Sequence, residues 1–580
     1  MPVSFKGMDC LADANLDAYM DEYMKSQATI PWASQVYYGY YTLYYGCAFI
    51  IVAGLKNGYY RWRDSRYRNN GSTTILDQFA NSISGYSRLF GYKNLPAKIS
   101  HFTSLPPSGG NSLFLISTSL YLLLWVFLPH FWYRGCRGFG SPPLAVRAGI
   151  MATALTPFIY ILGGKTNFIT LLTGISYEKL NYLHQYAGVA ALTLSLIHTI
   201  PFIYQDLVEG GYKNLAEDFK GFSMYSGIPP LVCLILLCTL SKSFVRKWFY
   251  EIFWHVHWIL GVGYFATLFW HIWDMLDTEN YMWAALAFWF GQLFYRLLVK
   301  TCFRPNALFM RSRKAKLYKL PGSKSFEIDI PNNKGIVWRP GQHAFIRFKS
   351  KILDNHPFSI VNLPKEDGDE VKFIVVPKRG LTGTLYQEIE NNTSNVVDKD
   401  VYIDGPYGGC SRDHNSFEKV ILIATGSGIT ATLPFLLDLV EKIKSGENKT
   451  TRRIEFIWIV RYSHDIDWVK SELIQSITDF VNINVYVTHE ENSIIDDEKE
   501  TLEEKVSSSS YEGLSVHHFK PQVSELLIGM KYSLARRNMV VSSGSNSMKF
   551  EVCNAVSSLQ SLVVNDHIEE IFLHTESFGW

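Results

Sequence analysis

The sequence predicts a helical membrane bundle that is followed by an antiparallel β-barrel and then by a parallel α/β domain. Three observations predict this architecture. Residues 36–300 contain long apolar runs between charged loops, whereas residues 301–580 have the composition of soluble domains. Two histidine pairs with identical spacing lie inside apolar runs. The second half begins with short alternating strands and continues with strands that alternate with helices.

The bulk composition limits the classes of function. A chain of 580 residues is long enough for several domains. Its net charge of +2, with no basic face, argues against a nucleic-acid partner. The eight cysteines form no CxxC, which argues against a zinc ribbon or a disulfide scaffold. The N-terminal residues lack the pattern of a cleavable signal peptide, so we expect none.

The first half contains about seven candidate spans, since a spanning helix needs roughly 20 mostly apolar residues. They lie at about 36–55, 111–130, 144–163, 181–203, 226–244, 252–273 and 280–299. Lysine and arginine concentrate after the first, fifth and seventh spans, and acidic residues in the N-terminal segment and after the fourth and sixth. The positive-inside rule predicts an outer N-terminus and a cytosolic C-terminus. Cys10 and Cys136 then both lie outside, and whether they pair stays open.

Two histidine pairs stand in matched register. His184 and His198 are fourteen residues apart, as are His257 and His271. Fourteen helical residues turn through about 1400° and rise about 21 Å, so each pair lies near one face of its helix at two depths. Because the two helices run in the same direction, His184 is level with His257 and His198 with His271. Four imidazoles so placed are the ligand set for two six-coordinate haems. Single histidines that bond between helices are the alternative.

The sixth span contains two other side chains that could belong to the same site. His255 is sixteen residues from His271, about 160° around the helix, so it cannot share that face. We assign it to packing or to a supporting hydrogen bond. Tyr264 lies seven residues from each ligand, and it is either an aromatic group between the haems or part of the core.

The second half contains two kinds of sheet. Alternating strands over about 303–410, with Gly, Pro and Asn turns, predict the antiparallel barrel. From residue 420 onward, VILIATGSGITATLPFLLDLVEKI is an apolar strand, a glycine turn and an amphipathic helix, and further strands follow. This alternation is typical of a Rossmann-like nucleotide fold, in which backbone amides at Gly426 and Gly428 can approach a pyrophosphate. The acidic, serine-rich residues 490–512 are predicted to be a mobile insertion.

The ordered motifs resemble those of the ferric reductase/NADPH oxidase superfamily, and most closely the fungal ferric-chelate reductases. The motifs that carry the resemblance are LTGISYEKLNYLH, YEIFWHVHWIL, HPFSI, GPYG, TGSGIT and the terminal HTESFGW. The resemblance implies a ferredoxin-reductase-like FAD barrel and an NADP domain. It also implies haem iron bound by His184, His198, His257 and His271, with His257 rather than His255 as the family ligand.

The resemblance further implies the flavin and nucleotide residues. FAD would be held by His356, Pro357, Phe358, Ser359 and Thr382. NADPH would be held by Gly405, Pro406, Thr425, Gly426, Gly428, Ile429, Thr430, Arg461, Ser543 and Gly544. Arg461 is a candidate partner of the 2′-phosphate. The candidate catalytic residues are Ser543, which would lie near the nicotinamide, and Trp580, which would stack on the flavin.

Three positions depart from the family pattern. Ser543 stands where the family has a cysteine, and Thr425 replaces the first glycine of the pyrophosphate loop. The arginine that often stands beside the flavin motif has no clear counterpart in KILDNHPFS. The replacement of the cysteine by Ser543 affects the expected rate of hydride transfer rather than the existence of the site.

Together these features predict five segments. They are an outer segment at 1–35, two spans with a basic cytosolic loop at 36–142, a haem-binding membrane domain at 143–302, an FAD barrel at 303–410 and an NADPH domain at 411–580. The expected function is electron transfer from cytosolic NADPH through FAD and two b-type haems to outer ferric or cupric chelates. The plasma membrane is the expected location, and the oligomeric state is open.

Two other functions remain alternatives at this stage. A superoxide-producing NADPH oxidase would use the same cofactors with dioxygen as acceptor. A haem-binding or haem-uptake membrane protein with a decayed nucleotide site is the other, and Ser543 is the feature that favours it.

Overall fold

A computed structural model of the chain describes residues 4–5, 8–9, 16–69, 73–103, 105–135, 137–298, 311–332, 335–364, 370–489, 508–511 and 514–576. The chain divides into two compact units. The first, here called the membrane unit, comprises Met1–Asn57 and Leu113–Arg296. The second, here called the reductase unit, comprises Gly58–Ser112 and Leu297–Trp580.

Among the described residues of the first half, the regular structure consists of helices and of a short N-terminal hairpin of β1 (Ser4–Phe5) and β2 (Met8–Asp9). The helices are α1 Leu16–Thr29, α2 Val36–Arg68, α3 Ile75–Gly91, α4 Ala97–Thr103, α5 Gly109–Phe127, α6 Pro143–Ala154, α7 Thr156–Leu162, α8 Phe168–Thr173, α9 Tyr177–Asp218, α10 Phe222–Tyr225, α11 Ile228–Leu240, α12 Ser243–Trp248, α13 Tyr250–His271 and α14 Glu279–Leu297.

Among the described residues, five helical stretches are long and apolar enough to cross a membrane. They are Gly109–Phe127, Pro143–Leu162, Tyr177–Val208, Phe222–Leu240 and Ile252–His271. These overlap the second to sixth predicted spans. The first and seventh predicted spans fall within α2 and α14, which are helices but are not among the five.

Helix α6 is the centre of the membrane unit. All its residues except Gly149 are buried, and its small or apolar side chains, PLAVRAGIMATA, allow neighbours to pack on every side. Met151 joins Leu122 of α5 and Leu194 of α9 in one cluster. Ile150 packs with Tyr281 of α14 in another. The helix therefore fixes α9, which carries two of the predicted ligands.

Arg147 ties α6 to the end of α5. Its Nε donates to the carbonyl oxygen of Val126 at 2.8 Å, and its two terminal nitrogens donate to those of Phe131 at 3.0 Å and Pro129 at 3.1 Å. Val126 lies in the last turn of α5, where carbonyls have no partner within the helix. Pro129 and Phe131 follow the helix, so the buried guanidinium joins the helix end to the segment after it. These three carbonyl oxygens accept from the guanidinium of an arginine that is fully buried.

The reductase unit contains a six-stranded antiparallel sheet. Its strands are β3 Arg313–Lys319, β4 Phe326–Pro331, β5 Gln342–Phe348, β6 His356–Ser359, β7 Glu370–Val375 and β8 Val396–Gly408, in the order β6-β5-β8-β3-β4-β7. Just after β6, the amide of Val361 donates to the carbonyl oxygen of Lys372 on β7, which nearly closes the sheet on itself. Helix α15 (Leu381–Glu390) buries its apolar face in the same core.

The C-terminal part of the reductase unit is a seven-stranded sheet with flanking helices. Its elements are β9 Lys419–Thr425, α16 Ile429–Lys444, β10 Arg453–Val460, α17 Lys470–Gln475, β11 Val481–Val487, β12 Ser508–Tyr511, β13 Leu514–His517, α18 Val523–Gly529, β14 Arg537–Ser543, α19 Asn546–Val564 and β15 Glu570–Glu576. The order is β12-β13-β11-β10-β9-β14-β15, and only the β12–β13 pair is antiparallel. The strand order reverses at β9, where such sheets bind ligands.

Two parts of the fold differ from the sequence predictions. Residues 58–112, predicted as a span-connecting loop, contain α3 and α4 and belong to the reductase unit, because α3 packs against α19. Of the predicted insertion 490–512, residues 508–511 form strand β12, which pairs with β13. Residues 490–507 and 512–513 lie outside the described residues.

Replacing Arg147 by methionine should destabilise the membrane unit by about 3 kcal/mol, because one buried and two half-buried carbonyls lose their donors while side-chain volume is kept. Thermal unfolding of the purified protein in detergent measures the effect. Lys213→Met, at an exposed position, is the matched control and should leave the unfolding midpoint unchanged. Equal midpoints for the two variants would contradict the role given to Arg147.

Candidate functional site

The two histidines of α9 face the two histidines of α13. The ring centres of His184 and His257 are 6.1 Å apart, with 68° between the ring planes. Those of His198 and His271 are 6.3 Å apart, with 71° between the planes. The structure therefore brings the four side chains together in the pairs that their register predicts.

The two α9 histidines are held by backbone carbonyls. Nδ1 of His184 is 3.0 Å from the carbonyl oxygen of Ile159, and Nδ1 of His198 is 2.9 Å from that of Ala145. A carbonyl oxygen only accepts, so each Nδ1 carries the proton. Each Nε2 is then the ring atom with a free lone pair.

The two α13 histidines are held by serine hydroxyls. Nδ1 of His257 is 2.9 Å from Oγ of Ser241, and Nδ1 of His271 is 2.9 Å from Oγ of Ser226. Both hydroxyls already donate to backbone carbonyl oxygens, of Leu237 and Phe222 respectively. Their oxygens therefore accept from Nδ1–H. All four rings thus share one tautomer, with Nε2 as the available ligand atom.

This donor set fits a metalloporphyrin better than a bare ion. Within the described part of the chain, no three His, Cys, Asp or Glu side chains lie close enough together to hold a metal ion. Two nitrogens that bind one metal from opposite sides at about 2.0 Å put their ring centres about 6 Å apart. The observed spacing matches, and a porphyrin would supply the four ligands that the protein lacks.

Glycines make room for three of the rings. A Cβ on Gly149 of α6 would lie 2.5 Å from Nδ1 of His198. A Cβ on Gly227 would lie 3.2 Å from Cε1 of His271, and one on Gly163 would lie 3.5 Å from Cε1 of His184. The close approach at Gly149 is what lets His198 reach the carbonyl of Ala145.

His255 and Tyr264 lie apart from these contacts. The ring of His255 stands edge-on to Trp254, with centres 4.9 Å apart, and its Nε2 has no hydrogen-bond partner among the described residues. Tyr264 is buried in a cluster with Ala191 and Leu234. It is therefore part of the core between the two pairs along α13.

The flavin motif forms strand β6 at the edge of the antiparallel sheet. His356, Pro357, Phe358 and Ser359 pair with Ile346, Phe345, Ala344 and His343 of β5. Thr382 lies in the first turn of α15, whose N-cap Gly380 has φ of +89° and provides no side-chain cap. First-turn amides without a cap are a ready anion site, so this turn fits a phosphate of the flavin.

The predicted nucleotide loops lie side by side at the carboxyl edge of the parallel sheet. Thr425 ends β9 and Ser543 ends the neighbouring strand β14. A Cβ on Gly428 would lie 2.1 Å from the carbonyl oxygen of Ser543, so only glycine permits this approach. The α16 N-terminus that follows has no side-chain cap and fits a pyrophosphate.

Thr425 has a structural role that explains its presence. Its Oγ1 accepts a hydrogen bond of 2.8 Å from the amide of Ser545. Gly544, with φ of +144°, is next to the same hydroxyl, and a Cβ there would lie 1.9 Å from it. The threonine that replaces the expected glycine therefore fastens the two loops together.

The remaining predicted residues surround these loops. Ile429 and Thr430 are buried at the start of α16, where Thr430 Oγ1 donates to the carbonyl oxygen of Ser427 at 2.9 Å. Arg461 is exposed just after β10, with its guanidinium 5.3 Å from the ring centre of Tyr462. Gly405 and Pro406 lie near the end of β8, where Gly405 packs against Ala344.

The structure describes one of the two predicted catalytic residues. Ser543 is buried, and its hydroxyl has no hydrogen-bond partner among the described residues. Trp580 lies outside the described residues.

Sequence reasoning missed Ser226, Ser241 and Gly149. The two serines precede their histidines by 45 and 16 residues and lie in the turns after α10 and α11, so no local pattern marks them. Gly149 could have been noticed, because glycine has a low helix propensity and its presence inside a helix indicates close packing.

Family profiles match three parts of the chain. They are "Ferric reductase like transmembrane component" at 148–268, "FAD-binding domain" at 309–411 and "Ferric reductase NAD binding domain" at 417–557. Fold and sites thus define a membrane-embedded oxidoreductase with domains for a flavin and a nicotinamide nucleotide. These matches confirm the FAD-binding and nucleotide-binding domains expected from the motifs.

Whole-chain similarity agrees with the profiles. "Ferric/cupric reductase transmembrane component 7" of Saccharomyces cerevisiae is 35% identical over 624 aligned positions, which cover 99% of this chain and 98% of that one. "Probable cell surface ferric reductase kap2" of Aspergillus oryzae is 32% identical, with 70% of this chain and 55% of that one covered. The chain belongs to the fungal ferric/cupric reductase family, as its motifs indicated.

Replacing Gly428 by alanine should weaken NADPH binding about tenfold, a cost of roughly 1.4 kcal/mol, because the new Cβ would push the two loops apart. The dependence of the flavin reduction rate on NADPH concentration measures this. Gly529→Ala is the matched control, since no atom lies within 4 Å of a Cβ added there. Unchanged NADPH dependence in Gly428→Ala would show that the loops do not form the site.

Proposed function

We propose that this chain is an NADPH-dependent ferric or cupric reductase that holds FAD and two b-type haems and delivers electrons across the membrane. The observation that carries the proposal is the pair of facing histidine sites on α9 and α13, in a chain that also has flavin and nucleotide domains. Relatives named as ferric or cupric reductases along nearly the whole chain support the choice of acceptor.

The protein residues bind and orient rather than perform acid–base chemistry. A flavin converts a hydride into single electrons, and bis-histidine haem transfers single electrons without an open coordination position. His184 and His257 would hold the cytosolic haem, and His198 and His271 the outer one. The Nδ1 acceptors set the tautomer of each ligand and raise its basicity.

For the flavin and the nucleotide we propose the residues that the sequence predicts. His356, Pro357, Phe358, Ser359 and Thr382 would hold FAD at β6 and the first turn of α15. The nucleotide would lie across the loops after β9 and β14, near Ser543. Arg461, exposed at the carboxyl edge beside these loops, would bind the 2′-phosphate and so favour NADPH over NADH.

The orientation rests on the loop charges. We infer from the basic loops that the N-terminus lies outside and the reductase unit in the cytosol. The plasma membrane is proposed from the resemblance to the family. The outer loops would then present carboxylates that attract cations. They are Glu217, Asp218, Asp274, Asp277 and Glu279, which are exposed or half-buried, whereas Asp206 of the same predicted loops is buried. Seven spans, with α2 and α14 included, are required by this topology.

Visible spectra of the purified holoprotein test the whole proposal. We expect two haems per chain, bis-histidine spectra, and full haem reduction by NADPH in the presence of FAD. Failure of NADPH to reduce the haem would support a haem-binding protein without nucleotide chemistry. In NADPH-fed membranes we expect ferrous-chelate formation. Abundant superoxide without metal reduction would identify an oxidase instead.

His271→Ala should abolish reduction of outer ferric chelates while the first haem is still reduced by NADPH, because only the outer site loses a ligand. The haem content should fall toward one per chain, measured by extracted haem against protein. His255→Ala, on the same helix but outside both pairs, is the matched control and should keep both haems. Retained ferric reduction in His271→Ala would refute the outer position of its pair.

Ser543→Cys should speed flavin reduction by NADPH about fivefold, which corresponds to roughly 1 kcal/mol of activation free energy. The larger sulfur would fill more of the space beside the nicotinamide and restrict it near the flavin. Anaerobic stopped-flow absorbance of the flavin measures the rate. Ser542→Cys, at the neighbouring buried position, is the control. A rate equal to that of the unsubstituted protein would exclude Ser543 from the reacting centre.

A further inference from the structure

Residues 58–112 join the reductase unit to two helices of the membrane unit. The chain passes between the units after Asn57, Ser112 and Arg296. The first passage lies inside α2 and the second inside α5, so both are made by continuous helix. Domains that are linked only by a chain segment usually move relative to each other. The attachment of residues 58–112 to the nucleotide-binding sheet therefore determines whether α2 and α5 restrain that sheet.

The fastening contains a buried group of charges, here called the Glu570 cluster. Its members are nearly inaccessible to solvent and come from α2, α3 and the amino edge of the parallel sheet. They are Arg63, Asp64, Arg88, Arg412, Arg537 and Glu570. Four guanidiniums thus surround two carboxylates.

Glu570 bonds to all four arginines. Its Oε1 accepts from Arg412 at 2.8 Å and from Arg88 at 2.9 Å. Its Oε2 accepts from Arg537 at 3.2 Å and also from Arg63. Burial alone would raise the pKa of this carboxyl, but the guanidiniums of Arg412, Arg63, Arg88 and Arg537 hold the pKa well below its usual value. The residue is therefore ionised.

Asp64 is the carboxylate that α2 contributes. Both its oxygens accept from Arg412, at 2.6 Å each, in a bidentate pair. Oδ1 also accepts from Arg537 at 2.9 Å, and Oδ2 from the amide of Asp413 at 3.3 Å. Without Asp64, Glu570 would be the one buried carboxylate that pairs with Arg412 and Arg537 in the part of the chain that the structure describes. Removing one partner from such a group leaves an uncompensated buried charge.

An apolar contact lies beside the cluster. Gly85 of α3 faces Val563 of α19, and a Cβ on the glycine would lie 3.5 Å from that of the valine. Ser557 donates to the carbonyl oxygen of Leu89 at 2.5 Å, and the amide of Asn94 donates to Asn554 at 2.9 Å. The segment is thus packed against α19 over several turns.

The cluster lies at the opposite edge of the sheet from the nucleotide loops. Arg537 and Glu570 are the first residues of β14 and β15, whereas Ser543 is the last residue of β14. Changes to Asp64 therefore alter the attachment of the domain without contacting the loops after β9 and β14.

We propose that Asp64 is a positioning residue, which with Glu570 fastens the nucleotide-binding domain to the extension of the first membrane helix so that electrons pass efficiently into the membrane unit. The inference rests on the proposed function, because it requires a flavin donor and haem acceptors. Loss of the attachment then slows transfer between the units and leaves hydride transfer intact.

The test uses the full-length holoprotein in nanodiscs and one anaerobic stopped-flow record of flavin and haem absorbance after mixing with NADPH. In Asp64→Asn, flavin reduction should stay within about twofold of the unsubstituted protein, while haem reduction should slow roughly fivefold or more. Asp479→Asn, an exposed aspartate of the same domain, is the matched control and should change neither rate.

A crosslink supplies the rescue. Disulfides need Cβ atoms about 3.5–4.5 Å apart, and the Gly85–Val563 distance meets this. In the variant with Asp64→Asn, Gly85→Cys and Val563→Cys, oxidation should restore haem reduction and a thiol reductant should remove the gain. Peptide mass spectrometry verifies the bond. The same cysteine pair without Asp64→Asn should form the bond and keep its rates.

Three results would overturn the inference. They are equal slowing of flavin and haem reduction in Asp64→Asn, unchanged rates in that variant, and failure of the verified crosslink to restore haem reduction. If Asp64→Asn does not fold, absence of the disulfide in the unsubstituted background refutes the attachment, and its formation supports it. Failure of NADPH to reduce the flavin or haem of the unsubstituted protein is a different result, because it would refute the proposed function itself.

Discussion

The hydrogen bonds that Nδ1 donates in each of the four paired histidines are the constraint on which the membrane unit depends. Each bond fixes a tautomer and a ring plane, and each acceptor comes from a segment other than the helix that carries the ring. Ala145 and Ile159 contribute carbonyls from α6 and α7, whereas Ser226 and Ser241 contribute hydroxyls. The packing of α6 against α9, with Gly149 at the closest approach, therefore determines the placement of the imidazoles as well as stability.

The reductase unit obeys a comparable constraint at its carboxyl edge. The loops after β9 and β14 are close enough that glycine is required at Gly428, and the hydroxyl of Thr425 joins them. Thr425 departs from the family pattern, but its hydroxyl stabilises the same loop through a hydrogen bond from the amide of Ser545. At the opposite edge, the buried charges around Glu570 join α2 and α3 to the sheet, so the two edges have separate roles.

Much of this architecture could be predicted from local periodicity. Five of the seven predicted spans coincide with stretches that are apolar and long enough to cross a membrane. The strands of both sheets and the flavin strand β6 were also predictable, because alternation and glycine turns are short-range signals. The helices of residues 58–112 were not, because α3 is stabilised by α19, which lies more than 450 residues away in the chain.

The sequence by itself determined the fourteen-residue histidine register, the order of the domains and the motifs at their strand ends. These features depend on helical and strand geometry over a few turns, so short-range sequence patterns are sufficient to predict them. Only the tertiary structure decided which groups hold each imidazole, why Thr425 is tolerated, and that Asp64 meets Arg412 across 348 positions. Such partners are chosen by packing between distant segments, and no local pattern in the chain records that choice.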